Sequence, residues 1–174
     1  LNCEIIYTGY VAQSPAPESL PTAQDIAGLS DAAPTIVASA GGGRHGYPLL
    51  SAIIAASGLI ADYFPHQIYV FAGPFMSEAD YAPLQQAAPQ RPNVTLRRYT
   101  CLLLDYLKRA ELSISLGGYN TTMNLLRTGV RSLVLPSLNP SQTDEQRIRT
   151  QKLASAGVLT LLTPDALATD PLVG

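Results

Sequence analysis

The chain has 174 residues, of which 47% are hydrophobic and 14% charged, a composition that suits one domain with a large buried core and argues against disorder. Eleven basic residues against thirteen acidic ones give a formal net charge of −2, which lacks the cationic excess expected of a nucleic-acid-binding surface. No apolar stretch approaches the roughly 18 residues that a membrane-spanning helix needs, so we predict no transmembrane segment.

The first 34 residues are predicted to precede the main domain. Residues 4–11 (EIIYTGYV) have the side chains of a short strand, and the proline-rich stretch that continues to Pro34 favours an irregular connection. The chain opens at Leu1 without an initiator methionine, so we expect it to be a piece of a longer protein. Cys3 and Cys101 show no CxxC or metal-ligand spacing, and we predict reduced thiols and no metal site.

From residue 35 onward, short apolar segments alternate with segments of helical length. The predicted strands are 35–40, 68–73, 94–99, 112–117, 132–136 and 158–162, and the predicted helices are 47–62, 77–88, 102–110, 119–128, 143–156 and a short one from Pro164. This alternation is typical of βαβ units, whose parallel sheet is buried on both faces. We therefore predict an α/β domain over residues 35–174, a doubly wound Rossmann-like parallel sheet of about six strands with helices on both faces.

A glycine-rich turn, SAGGGRHG, follows the first of these strands. Three of its glycines match the G-x-G-x-x-G pattern that lets backbone approach a phosphate at a helix N-terminus. The candidate phosphate-binding residues are Gly42, Gly43, Arg44 and His45, since a guanidinium can grip phosphate oxygens and a histidine can donate a hydrogen bond. The next strand lacks the terminal acidic residue of a dinucleotide site, which disfavours NAD or FAD. A simple tight turn is the alternative.

A second glycine turn, LGGYNTT, follows the fourth predicted strand and opens a helix. Gly117 and Gly118 free the backbone, while Asn120, Thr121 and Thr122 place small polar groups beside the unpaired amides of the first helical turn. An ordinary N-cap is the alternative interpretation. Ligands of open parallel sheets bind at the carboxyl ends of strands, so two such turns together predict an anion site at that edge.

Five segments, taken in order, resemble a known family. They are YTGYV, SAGGGRHG, NVTLRRYTCLLLDYLKRAELSIS, GGYNTTMNLLRTGVRSLVLP and TDEQRIRTQKLASAGV. Their order and spacing resemble the C-terminal, donor-binding domains of GT-B glycosyltransferases. The likeness is greatest to family 28, typified by the peptidoglycan N-acetylglucosaminyltransferase that makes the membrane-bound lipid intermediate. The resemblance covers nearly the whole chain.

The resemblance implies a nucleotide-diphosphate sugar, generally linked to UDP, as the ligand, and we expect no further cofactor. In that family the diphosphate lies at the helix opening after the GG turn. The matching residues here are Gly117, Gly118, Asn120, Thr121 and Thr122. The uracil packs against the segment after the third core strand, often through backbone hydrogen bonds. The matching positions are Arg98, Tyr99 and Thr100, with an aromatic side chain at the edge of the core as the alternative for Tyr99.

The resemblance also assigns the ribose and the sugar. The family's ribose-binding Glu, one turn into the helix after the GG turn, corresponds to Asn124, an amide that lacks the charge of a bidentate acceptor. Polar residues that contact the donor sugar in the family correspond to Glu145 and Gln146, with Arg149 as a further candidate. A solvated polar helix face is the alternative for these residues.

The implied reaction is an inverting sugar transfer, in which a deprotonated acceptor hydroxyl attacks the anomeric carbon and displaces the nucleoside diphosphate. In family 28 the general base belongs to the N-terminal acceptor domain, which we expect to be missing from this chain. We therefore assign no catalytic residue and expect the isolated chain to be inactive. The full-length enzyme is expected in the cytoplasm, either free or held at the membrane surface through the missing domain. A non-catalytic donor-binding subunit and a nucleotide-sugar epimerase of GT-B architecture remain alternatives.

Overall fold

The computed structural model describes residues 33–136 and 143–167, together with the single positions Ile6, Gly9 and Val11. Apart from those positions, the predicted entry strand and the connection that follows it lie outside the described residues. In the described part, strands and helices alternate from residue 35 to residue 167. This alternation confirms the predicted α/β class.

The elements of the described part agree closely with the predicted bounds. The strands are β1 (Thr35–Ser39), β2 (Gln67–Phe71), β3 (Val94–Arg97), β4 (Leu112–Leu116), β5 (Ser132–Leu135) and β6 (Thr160–Leu161). The helices are α1 (Tyr47–Ala61), α2 (Glu78–Ala87), α3 (Leu103–Arg109), α4 (Tyr119–Thr128) and α5 (Thr143–Ser155), with 3-10 turns at Ala88–Gln90 and Pro164–Leu167. β6 is shorter than predicted because it lies at the sheet edge and pairs with β5 alone.

The six strands form one parallel sheet in the order β3-β2-β1-β4-β5-β6. In this doubly wound order the winding direction reverses between β1 and β4, which opens a crevice at the carboxyl ends of those two strands. Ser39, the last residue of β1, pairs in register with Ser115 of β4. The two loops that leave these strands therefore start side by side.

Helices cover both faces of the sheet. Ile36 and Ala38 of β1 pack into a core cluster with α1 and α2, whereas Val37 packs into a second cluster with α3, α4 and α5. Successive side chains of a strand point to opposite faces of the sheet, so the central strands have buried side chains on both faces. Tyr106 is fully buried in the second cluster, with its ring centroid 4.9 Å from that of Phe71. Because the sheet is buried on both faces, its strands are continuous apolar segments in the sequence.

Local capping sets the helix ends. Ser77 caps α2 by accepting a hydrogen bond from the Asp80 amide at 3.1 Å. Gly129 and Gly157, which follow α4 and α5, have φ angles of +68° and +71°, the left-handed conformation expected of a glycine after a helix. None of the helices in the described part is long and apolar enough to cross a membrane.

Candidate functional site

A cleft of about 650 Å³ lies at the point where the strand order reverses. Both glycine turns line it, together with the start of α4 and one residue of α5. Its predicted site residues are Gly42, Gly43, Arg44, His45, Gly118, Asn120, Thr121, Asn124 and Gln146. The structure thus brings together residues that lie about a hundred positions apart in the chain, as expected where loops from non-consecutive strands meet.

The first glycine turn, residues 40–46, is shaped by close backbone packing. Gly43 has a φ of +98°, and a Cβ there would lie 2.5 Å from the Ala72 carbonyl oxygen in the loop after β2. The Phe75 amide of that loop donates a hydrogen bond to the Gly42 carbonyl at 2.9 Å. Gly46 precedes α1 and leaves no room for a Cβ beside Ala40. Part of this glycine pattern is therefore required by packing against a neighbouring loop.

The second glycine turn, residues 117–118, opens toward the cleft. Gly118 is the N-cap residue of α4 and, as a glycine, makes no side-chain cap hydrogen bond to that helix. The first amides of a helix lack partners within it, and helix N-termini commonly bind anions for this reason. A Cβ at Gly118 would meet only the Thr121 hydroxyl, at 4.0 Å, while a Cβ at Gly41 would lie 3.1 Å from the same hydroxyl. Thr121 therefore sits between the two turns.

Asn124 is a buried polar residue of the cleft wall that follows this turn. It is only 6% exposed and lines the cleft on α4. Its side-chain amide makes no hydrogen bond to the described residues, although its backbone carbonyl accepts one from Thr128 at 2.9 Å. Buried polar side chains normally have partners, so an amide that lines a cleft and has no partner among the described residues is suited to a ligand.

The described residues that line the cleft include no carboxylate. Arg44 is exposed there, with its guanidinium carbon 5.7 Å from the Phe75 ring centroid, and His45 is exposed beside it. Phe75, Leu103 and Tyr119 also line the cleft and are not among the predicted site residues. Leu103 and Tyr119 begin α3 and α4, and Phe75 lies in the loop after β2, so all three follow the carboxyl ends of strands, which is the signal that marks them. No group of metal-ligating side chains occurs in the described ranges. The wall is suited to an anion with an apolar portion.

The predicted base-binding segment, residues 98–100, does not belong to the cleft lining. Arg98 forms an ion pair with Glu78 at 2.6 Å and donates to a carbonyl of the loop after β2 at 3.0 Å. The Thr100 hydroxyl accepts a hydrogen bond at the start of α3. Tyr99 is 66% exposed. The side chains of Arg98 and Thr100 are thus engaged within the protein, whereas the Tyr99 ring is open to solvent.

Four other predicted residues lie behind or beside the cleft rather than in its lining. The buried Gly117 accepts a hydrogen bond at its carbonyl from Arg149 Nη2 at 2.8 Å. The Thr122 hydroxyl donates to the Gly118 carbonyl at 2.9 Å, within the turn itself. Glu145 is exposed and forms an ion pair with Arg149. Arg149, a candidate sugar contact, is buried and bonded to the turn.

Comparison with known proteins gives this site a context. Residues 41–173 match the glycosyltransferase family 28 C-terminal domain. Among solved structures, MurG from Acinetobacter baumannii is 20% identical over 82% of this chain, with a TM-score of 0.61. The glycosyltransferase SnogD from Streptomyces nogalater is 19% identical over 90%, with a TM-score of 0.61. The spinosyn rhamnosyltransferase SpnG, complexed with spinosyn aglycone, is 22% identical over 95%, with a TM-score of 0.59.

The chain covers less than half of the length of each of these three proteins. The chain spans 40% of MurG, 39% of SnogD and 42% of SpnG. At these identities the likeness shows a shared fold. No curated protein matches the chain in sequence.

Proposed function

The chain belongs to the glycosyltransferase family 28 C-terminal domains, and we propose that it binds a nucleotide-diphosphate sugar, with UDP as the nucleotide, between its two glycine turns. The observation that carries this proposal is the uncapped N-terminus of α4, which faces the first glycine turn across a cleft without described carboxylates. Unpaired amides and the helix dipole favour a negatively charged diphosphate at such a position. The cleft volume of about 650 Å³ is also in the usual range for a small-molecule site.

We further propose that the full-length protein is an inverting glycosyltransferase. When the acceptor hydroxyl attacks the anomeric carbon, the bond to the diphosphate breaks and negative charge grows on the leaving group. We propose that the α4 amides and Arg44, which lines the cleft, stabilise that charge. We propose that the base comes from the N-terminal acceptor domain, as the family resemblance implies. We place the enzyme in the cytoplasm, free or held at the membrane surface by the acceptor domain.

The nucleotide specificity of the isolated chain tests the diphosphate site. We expect UDP to bind about tenfold more tightly than UMP, because the second phosphate gains charge-assisted hydrogen bonds with the α4 amides. Calorimetry with UDP, UMP and uridine measures how the affinity depends on the number of phosphates. Calorimetry with dTDP in place of UDP tests the preference for the nucleotide base. Equal affinities for UDP and UMP would show that the diphosphate does not bind at the second glycine turn. Sugar transfer by the isolated chain would refute the proposed division of labour.

Substitution of Asn124 tests the ribose contact. We expect Asn124→Ala to weaken UDP binding about fivefold, because a neutral hydrogen bond to the ribose is lost. Asn124→Glu is expected to tighten binding about fivefold, since a charged acceptor adds about 1 kcal/mol over a neutral one. Calorimetry with UDP and 2′-deoxy-UDP separates the two ribose hydroxyls.

The control for this pair is Arg127→Ala, which removes an exposed side chain on the same helix. Its affinity for UDP should equal that of the parent protein. The gain in affinity caused by Asn124→Glu should be smaller for 2′-deoxy-UDP than for UDP, because one of the two ribose hydroxyls is absent. If both Asn124 variants bind UDP as the parent does, this side chain does not face the ribose.

A further inference from the structure

Arg149 is a buried cation next to the second glycine turn. Its side chain is 8% exposed, although it belongs to a helix whose neighbouring residues Arg147 and Ile148 are exposed. Nη2 donates to the Gly117 carbonyl at 2.8 Å, and Nη1 bonds to Glu145. The guanidinium carbon lies 5.6 Å from the centroid of the Tyr119 ring. These contacts hold the guanidinium between α5 and the opening of α4.

A buried charge is costly unless it is paired and hydrogen-bonded, so the geometry around Arg149 is strongly preferred over alternatives that break it. Residues of α5 and of β5 also approach the turn closely. A Cβ at Gly117 would lie 3.0 Å from the Thr150 hydroxyl of α5, and the Gly117 amide donates to the Leu135 carbonyl at 2.7 Å. Helix α5 therefore packs closely against the glycine turn.

The peptide between Gly117 and Gly118 needs such a restraint. Glycine has a wide choice of backbone angles, so a peptide plane with glycine on both sides can rotate at low steric cost. A trans peptide is planar, and its carbonyl and amide point in opposite directions. When Arg149 holds the Gly117 carbonyl toward α5, the Gly118 amide must point away from α5, and Gly118 lines the cleft.

We propose that Arg149 is a positioning residue that locks the Gly117–Gly118 peptide with the Gly118 amide directed at the donor diphosphate. Arg149 itself is not part of the cleft lining, so it acts through the turn. The proposal rests on the proposed function for the identity of the ligand. The locked peptide is a property of the ligand-free domain and can be observed without a nucleotide.

The test compares Arg149→Met with Arg147→Met. Methionine is unbranched and flexible but carries no charge and cannot donate a hydrogen bond. Arg147 lies on the same helix, is half exposed and forms an ion pair with Asp144 at 3.3 Å, so its loss controls for a missing charge on α5. We expect Arg149→Met to weaken UDP binding about tenfold and uridine binding less than twofold. The control should change neither affinity.

Amide NMR of the ligand-free proteins gives the second readout. We expect the Gly118 resonance to be single and sharp in the parent and in Arg147→Met, and to broaden or double in Arg149→Met, because the peptide plane is released. If Arg149→Met does not fold, Arg149→Lys takes its place, with one donor left for the Gly117 carbonyl and an expected loss of about threefold for UDP.

The outcomes separate the two proposals. A parent protein that does not bind UDP refutes the proposed function, while the Gly118 resonance still decides whether Arg149 locks the turn. A weaker affinity for UDP with an unchanged Gly118 resonance shows that only the charge of Arg149 matters and overturns the locking role. Equal losses for UDP and uridine, or no loss, overturn it as well.

Discussion

Replacement of Gly118 by valine is expected to lower the affinity for UDP about a hundredfold in a protein that remains folded. The residue lies at φ −59° and ψ 153°, angles that valine adopts readily, and a Cβ there would meet only the Thr121 hydroxyl, at 4.0 Å. The branched side chain would project into the cleft, in front of the first amides of α4. Loss of two charge-assisted hydrogen bonds of about 1.5 kcal/mol each corresponds to this factor.

The measurements for Gly118 are UDP affinity by calorimetry and stability by thermal denaturation. Gly118→Ala provides a graded control, because its single methyl group should reduce UDP binding less than valine does. Uridine should bind to both variants almost as it binds to the parent. A folded Gly118→Val protein with the UDP affinity of the parent would place the diphosphate elsewhere in the cleft.

Gly43→Ala, in contrast to Gly118→Val, is expected to cause a large loss of stability. Its φ of +98° is unfavourable for alanine, and its Cβ would lie 2.5 Å from the Ala72 carbonyl oxygen and 3.0 Å from the Met76 amide nitrogen. Both are backbone atoms and cannot rotate away as a side chain can. Backbone strain and overpacking together should cost about 3 kcal/mol, and the midpoint of thermal unfolding should fall by about 10 °C.

The adjacent glycine offers the matched control for this substitution. A Cβ at Gly42 would meet the Phe75 ring at 3.5 Å, an ordinary contact, and its φ is not positive. Gly42→Ala should therefore lower the free energy of unfolding by less than about 1 kcal/mol. Urea denaturation of the two variants compares these costs directly. Equal stabilities would show that the loop after β2 can move away from the first glycine turn.

Much of the fold was predictable because its signals are local. Apolar runs alternate with helix-length segments from Thr35 to Leu161, and the observed strands and helices follow that alternation closely. Gly129 lies directly after α4 in the left-handed conformation that its position predicts. The meeting of the two glycine turns also followed from a general rule, since ligand clefts of parallel sheets lie at the carboxyl ends of strands.

The individual roles of the site residues were less predictable. Arg149, in a polar helix, has the same sequence signal as its exposed neighbour Arg147, yet it is buried against the Gly117 carbonyl. Arg98 lies in the predicted base-binding segment, and its guanidinium forms an ion pair with Glu78, a partner that the sequence does not indicate. The direction of each of these side chains depends on elements that lie far away in the sequence.

The sequence by itself determined the order of the elements, the parallel sheet and the position of the glycine turns, because hydrophobic periodicity and turn chemistry act over a few residues. Only the tertiary structure decided what each glycine does. Gly43 is required because the Ala72 backbone approaches it closely, whereas Gly118 faces the open cleft. The physical reason is that a glycine's steric role depends on which atoms approach its missing Cβ, and in this fold those atoms come from loops brought together by the sheet.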